Sequence, residues 1–563
     1  MKYTFMKAAL LVTGCVFLST SLSSQVQMTD GPPLENDKDN KMNRMLKGDD
    51  NSFYCYRVRS KGKGTSFYVE KYNKTSLKPE FSKEVNLDEE SATKIEDVEY
   101  ASGNVFIFRR QYSKKEDKMA LFFQTVSSSG VVAKEMKEVI TVSSDHYEFV
   151  DFEIFANPSQ TKFLIKACHK ANKKDDFKTE LILMDAVNLK KLWTKTVPQN
   201  LDSRGSVYYN FFTGSMGADD DLTGCIGMLL DDKDNVYYCY TDLKKSSSSK
   251  EKRYTLDLYT LNAADQTPKV VSLGFDDDYY VSDIEFSKTG TNDLVIGGFV
   301  KDVLERKGRD LVKIGIFSFK IDLSSNTVAA KTAKFFDDKM LTALESSPKK
   351  SRYFKYKLDY ILPAGDAIYY VGEQYSEVFV RNTNNGYGSS MGGFGGGGFG
   401  MGSNGTWNYE YMDVIVAKLN SKGEFEWIKN SPLRQNLQIS YSHVFKQYIA
   451  FNTEKNLYIL NDDHPKNIER YQKDDFEPSD LKTVSGIHGS NFVCNTMSLK
   501  DGKVINRTVL MKNDDYCFAP IQERNIQFIP PPDCEIFVPS KNNEIFIYTE
   551  DRGKDRFSKI KFD

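Results

Sequence analysis

Aromatic and aliphatic residues fall in short runs along the whole chain, and many runs open on a turn that ends in Asn or Asp. Gly103-Asn104-Val105-Phe106-Ile107-Phe108, Asp234-Asn235-Val236-Tyr237-Tyr238, Asn292-Asp293-Leu294-Val295-Ile296, Lys455-Asn456-Leu457-Tyr458-Ile459 and Asn543-Glu544-Ile545-Phe546-Ile547 share the pattern. The polar residue tolerates the left-handed backbone of a tight hairpin, and the apolar run after it suits a strand covered on both faces. Upstream, three units read Asp, apolar, Glu, apolar: Asp97 to Tyr100, Asp151 to Ile154 and Asp283 to Phe286. Downstream comes an alternating strand, as in Phe67 to Asn73 or Leu256 to Asn262, and a fourth strand that twice reads Trp-x-Lys-x-x-Pro, at Trp193 and at Trp427.

Four strands per unit, repeated, predict a β-propeller. Units near 51–87, 94–140, 148–198, 221–273, 280–335, 355–432, 440–511 and 517–563 give an all-β fold of seven or eight four-stranded blades. The first unit lacks an evident inner strand and the last an outer one, so strands from both termini are expected to close the ring. Composition agrees. The 563 residues are 40% hydrophobic, and 13% are aromatic, mostly Phe (38) and Tyr (32), types that favour pleated surfaces. Lys plus Arg (76) nearly balances Asp plus Glu (78), so no overall charge draws the chain to nucleic acid or an anionic membrane.

Residues 1–24 read as a signal peptide, with Lys2 and Lys7 ahead of the apolar run Ala8 to Leu18 and small residues Ser19 to Ser24. The run is too short to span a bilayer, and no later segment is long enough. Val12-Thr13-Gly14-Cys15 imitates a lipobox, a second reading that would leave an acylated Cys15. Residues 25–50 are polar and are expected to be a mobile lead into a single propeller domain over 51–563. A Gly-rich stretch at 384–406 interrupts the sixth unit as a long hairpin insertion. It is either a plain loop tip or a flexible arm whose Tyr387, Met391, Phe394, Phe399, Met401 and Trp407 dock on a partner.

The candidate chemistry is sparse. Residues two apart on a strand share a face, so Asp97 with Glu99, Asp151 with Glu153, and Asp283 with Glu285 form acidic edges at matching blade positions. Gathered at a central channel they would suit a basic partner or Ca2+; otherwise each Asp braces a neighbouring loop. No other cofactor is implied. The acidic runs at 219–221, 231–235 and 276–278 lack the Gly and Glu of an EF-hand and read as turns. Cys225 and Cys239 flank the 231–235 turn and are a candidate disulfide, with two buried thiols as the rival reading. No catalytic spacing is present.

The C-terminal third, through Gly372-Glu373-Gln374-Tyr375, Tyr411 to Leu419, Trp427-Ile428-Lys429, Asn461 to Asn467 and Arg552 to Phe557, resembles a group of uncharacterised exported bacterial cell-envelope proteins with propeller-like repeats. The resemblance implies a periplasmic or cell-surface address and supplies no catalytic residues. The expected role is therefore a non-catalytic binding or scaffold protein whose partner is another envelope protein or a surface polymer. The alternatives are an extracellular glycan- or peptide-acting enzyme and an accessory subunit of an outer-membrane or secretion complex.

Overall fold

A computed structural model of the chain describes residues 26–35, 40–61, 64–86, 93–201, 224–245, 252–274, 279–290, 292–302, 314–344, 354–381, 405–439, 447–471, 477–485, 490–512, 517–518, 537–540, 543–551 and 554–563. Nearly all of them are in strands, and the strands form eight antiparallel blades arranged in a ring, an eight-bladed β-propeller. Blades 1 to 7 run outward from inner strands Asn40–Leu46, Thr93–Ala101, Val150–Ala156, Gly224–Leu230, Tyr279–Thr289, Phe354–Ala364 and Tyr448–Asn452. In blade 8 the inner strand is in two pieces, Cys517–Phe518 and Phe537–Ser540, both paired to Glu544–Asp551.

Each blade is covered on both faces by its neighbours, and the side-chain alternation of a strand divides its residues between the two layers. In the second strand of blade 2 (Asn104–Ser113), Val105 and Ile107 enter the layer shared with blade 1, beside Tyr54 and Tyr100. Phe106 and Phe108 enter the layer shared with blade 3, where the Phe106 ring meets Phe163 edge-on at 4.9 Å. This is why the run is apolar at every position. Close packing is explicit between blades 5 and 6, where the Tyr370 ring covers Gly297 so tightly that no side chain fits there, and its hydroxyl lies 2.7 Å from Ser318 Oγ.

The repeated Trp-x-Lys has a physical reading. Lys195, on the outer strand of blade 3 (Lys190–Val197), donates to the carbonyls of Asn262 (2.7 Å), Ala263 (2.9 Å) and Asp265 in a turn of blade 4. At the equivalent place in blade 6, Trp427 Nε1 donates to Lys500 O at 3.3 Å, and Trp427 and Lys429 close over Gly502 of blade 7, whose φ of 68° and lack of a side chain the contact requires. The motif latches the outer edge of one blade to a turn of the next.

Residues 25–50, expected as a mobile lead, instead carry three strands. Gln27–Asp30 and Leu34–Glu35 pair antiparallel with Lys554–Lys561 at the outer edge of blade 8, and Asn40–Leu46 is the inner strand of blade 1. Edge strands need only one covered face, so polar residues are compatible with them; among the apolar ones, Val26, Met42, Met45 and Leu46 are buried and Met28 and Leu34 half-buried.

Candidate functional site

The acidic edges lie on inner strands, where five blades repeat a local distortion. The register with the second strand slips by one residue at Asn43, Glu96, Ile226, Ser282 and Asp359. Such a bulge twists the strand and re-aims its side chains. Asn43 turns its Oδ1 onto the Val58 amide at 2.8 Å, Glu96 meets Arg110, and Asp359 accepts from the Tyr448 hydroxyl of blade 7 at 2.8 Å.

Immediately beyond the bulge of blade 2, Asp97 and Glu99 converge on one cation from blade 1. Arg44 Nη1 is 3.0 Å from Asp97 Oδ1 and Nη2 is 2.8 Å from Glu99 Oε1, with the carboxylate side chains 16% and 17% exposed. Burial pushes the Glu99 carboxyl up to about 7, against the pull of Arg44 and with Asp97 adding to the rise. Asp97 is likewise held above the usual carboxylate range by burial, Arg44 opposing. Glu96 is pushed up to about 7 by burial, which Arg110 and Lys94 only partly offset.

The other acidic pairs are used differently. Glu153 lies opposite Lys166 in the register of blade 3, with 2.7 Å between carboxylate and ammonium. Lys166 is almost fully buried; burial would lower its pKa, but Glu153 and the nearby Cys168 and Cys225 outweigh it and hold the ammonium above its ordinary value. Asp151 acts electrostatically on Lys94 and Glu96 of blade 2. Asp283 stands opposite Phe299 and Glu285 opposite Gly297 in blade 5, and the Asp283 side chain lies outside the described residues. Asp97 and Glu99 are thus brought to a common partner from another blade. Among the described residues, no three His, Cys, Asp or Glu side chains are grouped as a metal site would require.

The acidic run at 231–235 is a turn, and its carboxylates join three blades. Asp231 Oδ2 is 2.6 Å from Lys288 Nζ of blade 5, Asp232 Oδ1 accepts from Asn157 and the Ser159 amide of blade 3, and Asp234 pairs with Lys162. The runs at 219–221 and 276–278 lie outside the described residues.

Of the two readings of Cys225 and Cys239, the one with two thiols holds and the candidate disulfide does not. Cys225 and Cys239 are free thiols, because the bulge at Ile226 places Cys225 opposite Tyr240 and Gly227 opposite Cys239, and the two sulfurs are not a cross-strand pair. Burial raises the pKa of both thiols. Tyr387, Met391, Phe394, Phe399 and Met401 of the expected docking arm lie outside the described residues; Trp407 is in the third strand of blade 6 (Gly405–Leu419), opposite Phe379 and Ile439, and only its backbone is described.

Arg44 and Lys166 are the charged partners that sequence reading missed. Each sits in an ordinary strand context, and nothing local marks the acid it meets.

The two ends of the ring differ. In blades of antiparallel strands, the connections from second to third strand and from outer strand to the next blade all leave at one end. Of the six longest connections, five, 198–223, 303–313, 336–353, 382–404 and 464–490, are of these kinds, and the sixth, 519–536, interrupts the inner strand of blade 8. The other end carries tight turns. There Arg44 and Glu99 border a cavity of about 280 Å³ shared by blades 1 to 4.

One connection is itself anchored. Residues 464–490 leave blade 7 and lay Val484–Ser485 parallel to Gln435 and Asn436 of blade 6. Buried Asn467 fixes it, bonding Asp463 Oδ1 at 2.7 Å, Lys482 O at 2.9 Å and the Lys482 amide at 2.8 Å. Arg507 pairs with Asp463 at 2.8 Å and stacks over the Tyr471 ring at 3.6 Å.

Among the described residues, no helix is long and apolar enough to cross a membrane. No family model matches the chain. No curated protein matches it either. Among solved structures it is similar to the β-propeller domain of the Trilobed protease from Pyrococcus furiosus, at 8% identity and TM-score 0.34 over 85% of this chain and 100% of that one. It is also similar to the WD40 domain of SCAP from fission yeast, at 9% identity and TM-score 0.30 over 77% and 92%. A third is Porphyromonas gingivalis dipeptidyl peptidase 4, at 11% identity and TM-score 0.33 over 93% of this chain and 67% of that one. At these values the comparisons carry no argument about function, and the assignment of the chain as an eight-bladed β-propeller rests on its own strand register.

Proposed function

We propose that this chain is an exported, non-catalytic binding scaffold of the bacterial cell envelope, which engages another envelope protein or a surface polymer through the end of the ring that carries the long connections. The observation that carries the reading is that asymmetry: five of the six longest connections share one end, on a frame where Lys195 and Asp231 join blade to blade. Variable loops on a rigid scaffold are the usual form of a recognition surface. The leader-like residues 1–24 support the address, and the Gly-rich insertion at 384–406 supports a partner-facing role for blade 6.

The test is mild crosslinking in the native envelope with mass spectrometry, alongside a variant lacking residues 386–403. The expected result is a stoichiometric protein or polymer partner whose crosslinks map to the long-connection end and which the folded deletion variant recovers poorly. A monomer without crosslinks, or crosslinks confined to the tight-turn end, overturns the reading.

A further inference from the structure

Blade 6 is longer than its neighbours. Its second, third and fourth strands, Ala367–Arg381, Gly405–Leu419 and Phe425–Ile439, have 15 residues each, whereas the second strands of the other blades have 8 to 10. Short turns join these strands at the tight-turn end, after Ala364 and after Leu419, so the extra length lies at the other end. At ~3.3 Å per residue, positions 377–381 of the second strand run about 17 Å past the end of the inner strand.

That stretch is an open sheet edge. The inner strand Phe354–Ala364 ends opposite Ser376, and among the described residues no strand pairs with 377–381 on that side. On the other side Glu377, Val378, Phe379, Val380 and Arg381 stand opposite Tyr409, Asn408, Trp407, Thr406 and Gly405. The far edge of the same sheet is already taken, by Val484–Ser485 running parallel to Gln435 and Asn436. Val378 and Val380 share a face and are 54% and 51% exposed. An edge of strong β-formers with neither Lys nor Pro lacks the usual guards against pairing with another chain.

The order of charges along the edge selects its occupant. Turned end for end, Glu377-Val378-Phe379-Val380-Arg381 is its own complement: in an antiparallel pair of two copies centred on Phe379, Glu377 of each stands opposite Arg381 of the other, and Val378 opposite Val380. Directly opposed residues share a face, so two opposite-charge pairs and two valine pairs form together. Glu377 meets Lys355 through Oε1, while its Oε2 makes no hydrogen bond or ion pair among the described residues. A parallel pair would set Glu against Glu and Arg against Arg, so the twofold antiparallel arrangement is the one this edge favours.

We propose that the chain forms a twofold dimer in which residues 377–381 of the two copies pair edge to edge and antiparallel. So short a pairing buries less than a stable interface does, and the association is weak. It is separate from the capture of an envelope partner, so its failure leaves that reading standing. The test is sedimentation velocity of the whole protein from about 2 to about 200 μM, over which the parent is expected to pass from monomer towards dimer. Val378→Lys with Val380→Lys, at exposed positions, weakens the association about tenfold or more with unchanged melting temperature. Arg381→Glu and Glu377→Arg each set like charges opposite one another and are monomeric alone, but an equimolar mixture of the two variants forms a heterodimer, a rescue that loss of folding could not give. A parent that stays monomeric at about 200 μM, a double-lysine variant that associates at parental strength, or mixed charge variants that fail to associate overturns the proposal.

Discussion

Asp231 and Lys288 tie blade 4 to blade 5 through oxygen and nitrogen 2.6 Å apart, and the backbone turn that supplies the aspartate also holds blade 3. Asp231 is nearly inaccessible; burial disfavours its charge, but the bonds from Lys288 and Asn235 prevail and hold the carboxyl below the usual range. Asp231→Ala is expected to cost about 2 to 3 kcal/mol, at or just below the range for breaking a fully buried pair, because Lys288 keeps some access to water. A carboxyl with a depressed folded-state pKa stabilises above its unfolded value and loses that contribution as pH falls. The gap in melting temperature between parent and Asp231→Asn should therefore narrow from pH 7 to pH 2.

Glu96 gives the opposite pH dependence. Its side chain is 8% exposed and its carboxyl is pushed up to about 7, above any unfolded-state value, so the native state binds the extra proton. Stability from this group is present at low pH and is lost as pH rises through 7, by on the order of 2 to 3 kcal/mol. Denaturant unfolding at pH 5.5 and 8.5 should show the parent weaker at the higher pH and Glu96→Gln with a flatter profile. An unchanged slope in the variant would assign the dependence elsewhere.

Removing residues 26–30 strips the outer edge of blade 8. Asp30 bonds Arg556 at 2.6 Å and Ser558 at 2.8 Å, and Met28 stands opposite Ile560. A loss of about 3 kcal/mol or more is expected, a large part of a domain's usual margin. It is read as a lower unfolding midpoint and increased protease cleavage near residues 554–563.

The thiols predict indifference to redox state. Cys225→Ser with Cys239→Ser should shift the melting temperature equally with and without reductant, as read by thermal unfolding of both proteins. Oxidant-dependent stabilisation of the parent alone would require the two strands to re-register.

The repeated strands were legible because each must be apolar on both faces, which writes runs such as Val105 to Phe108 into the sequence. The acids were legible as a pattern and illegible as a site. Arg44 meets Asp97 across 53 positions, and a bulge decides which residue faces it, which no local pattern reports. The N-terminal strands were misread for the reason that edge strands are hard to see: Gln27–Asp30 needs backbone hydrogen bonds more than apolar side chains. The candidate bridge between Cys225 and Cys239 rested on symmetry about a turn, which assumes an unbroken register, and Ile226 breaks it.

The bond between Ser558 and Asp30 spans 528 positions of chain. During synthesis Gln27–Asp30 must wait for a partner strand more than 520 positions further along, so this pairing is a late step dominated by long-range loop entropy. Until then Lys554–Lys561 is a bare edge, and its lysines at 554, 559 and 561 place like charges along it. Those charges discourage another copy from filling the vacancy before the proper strand arrives.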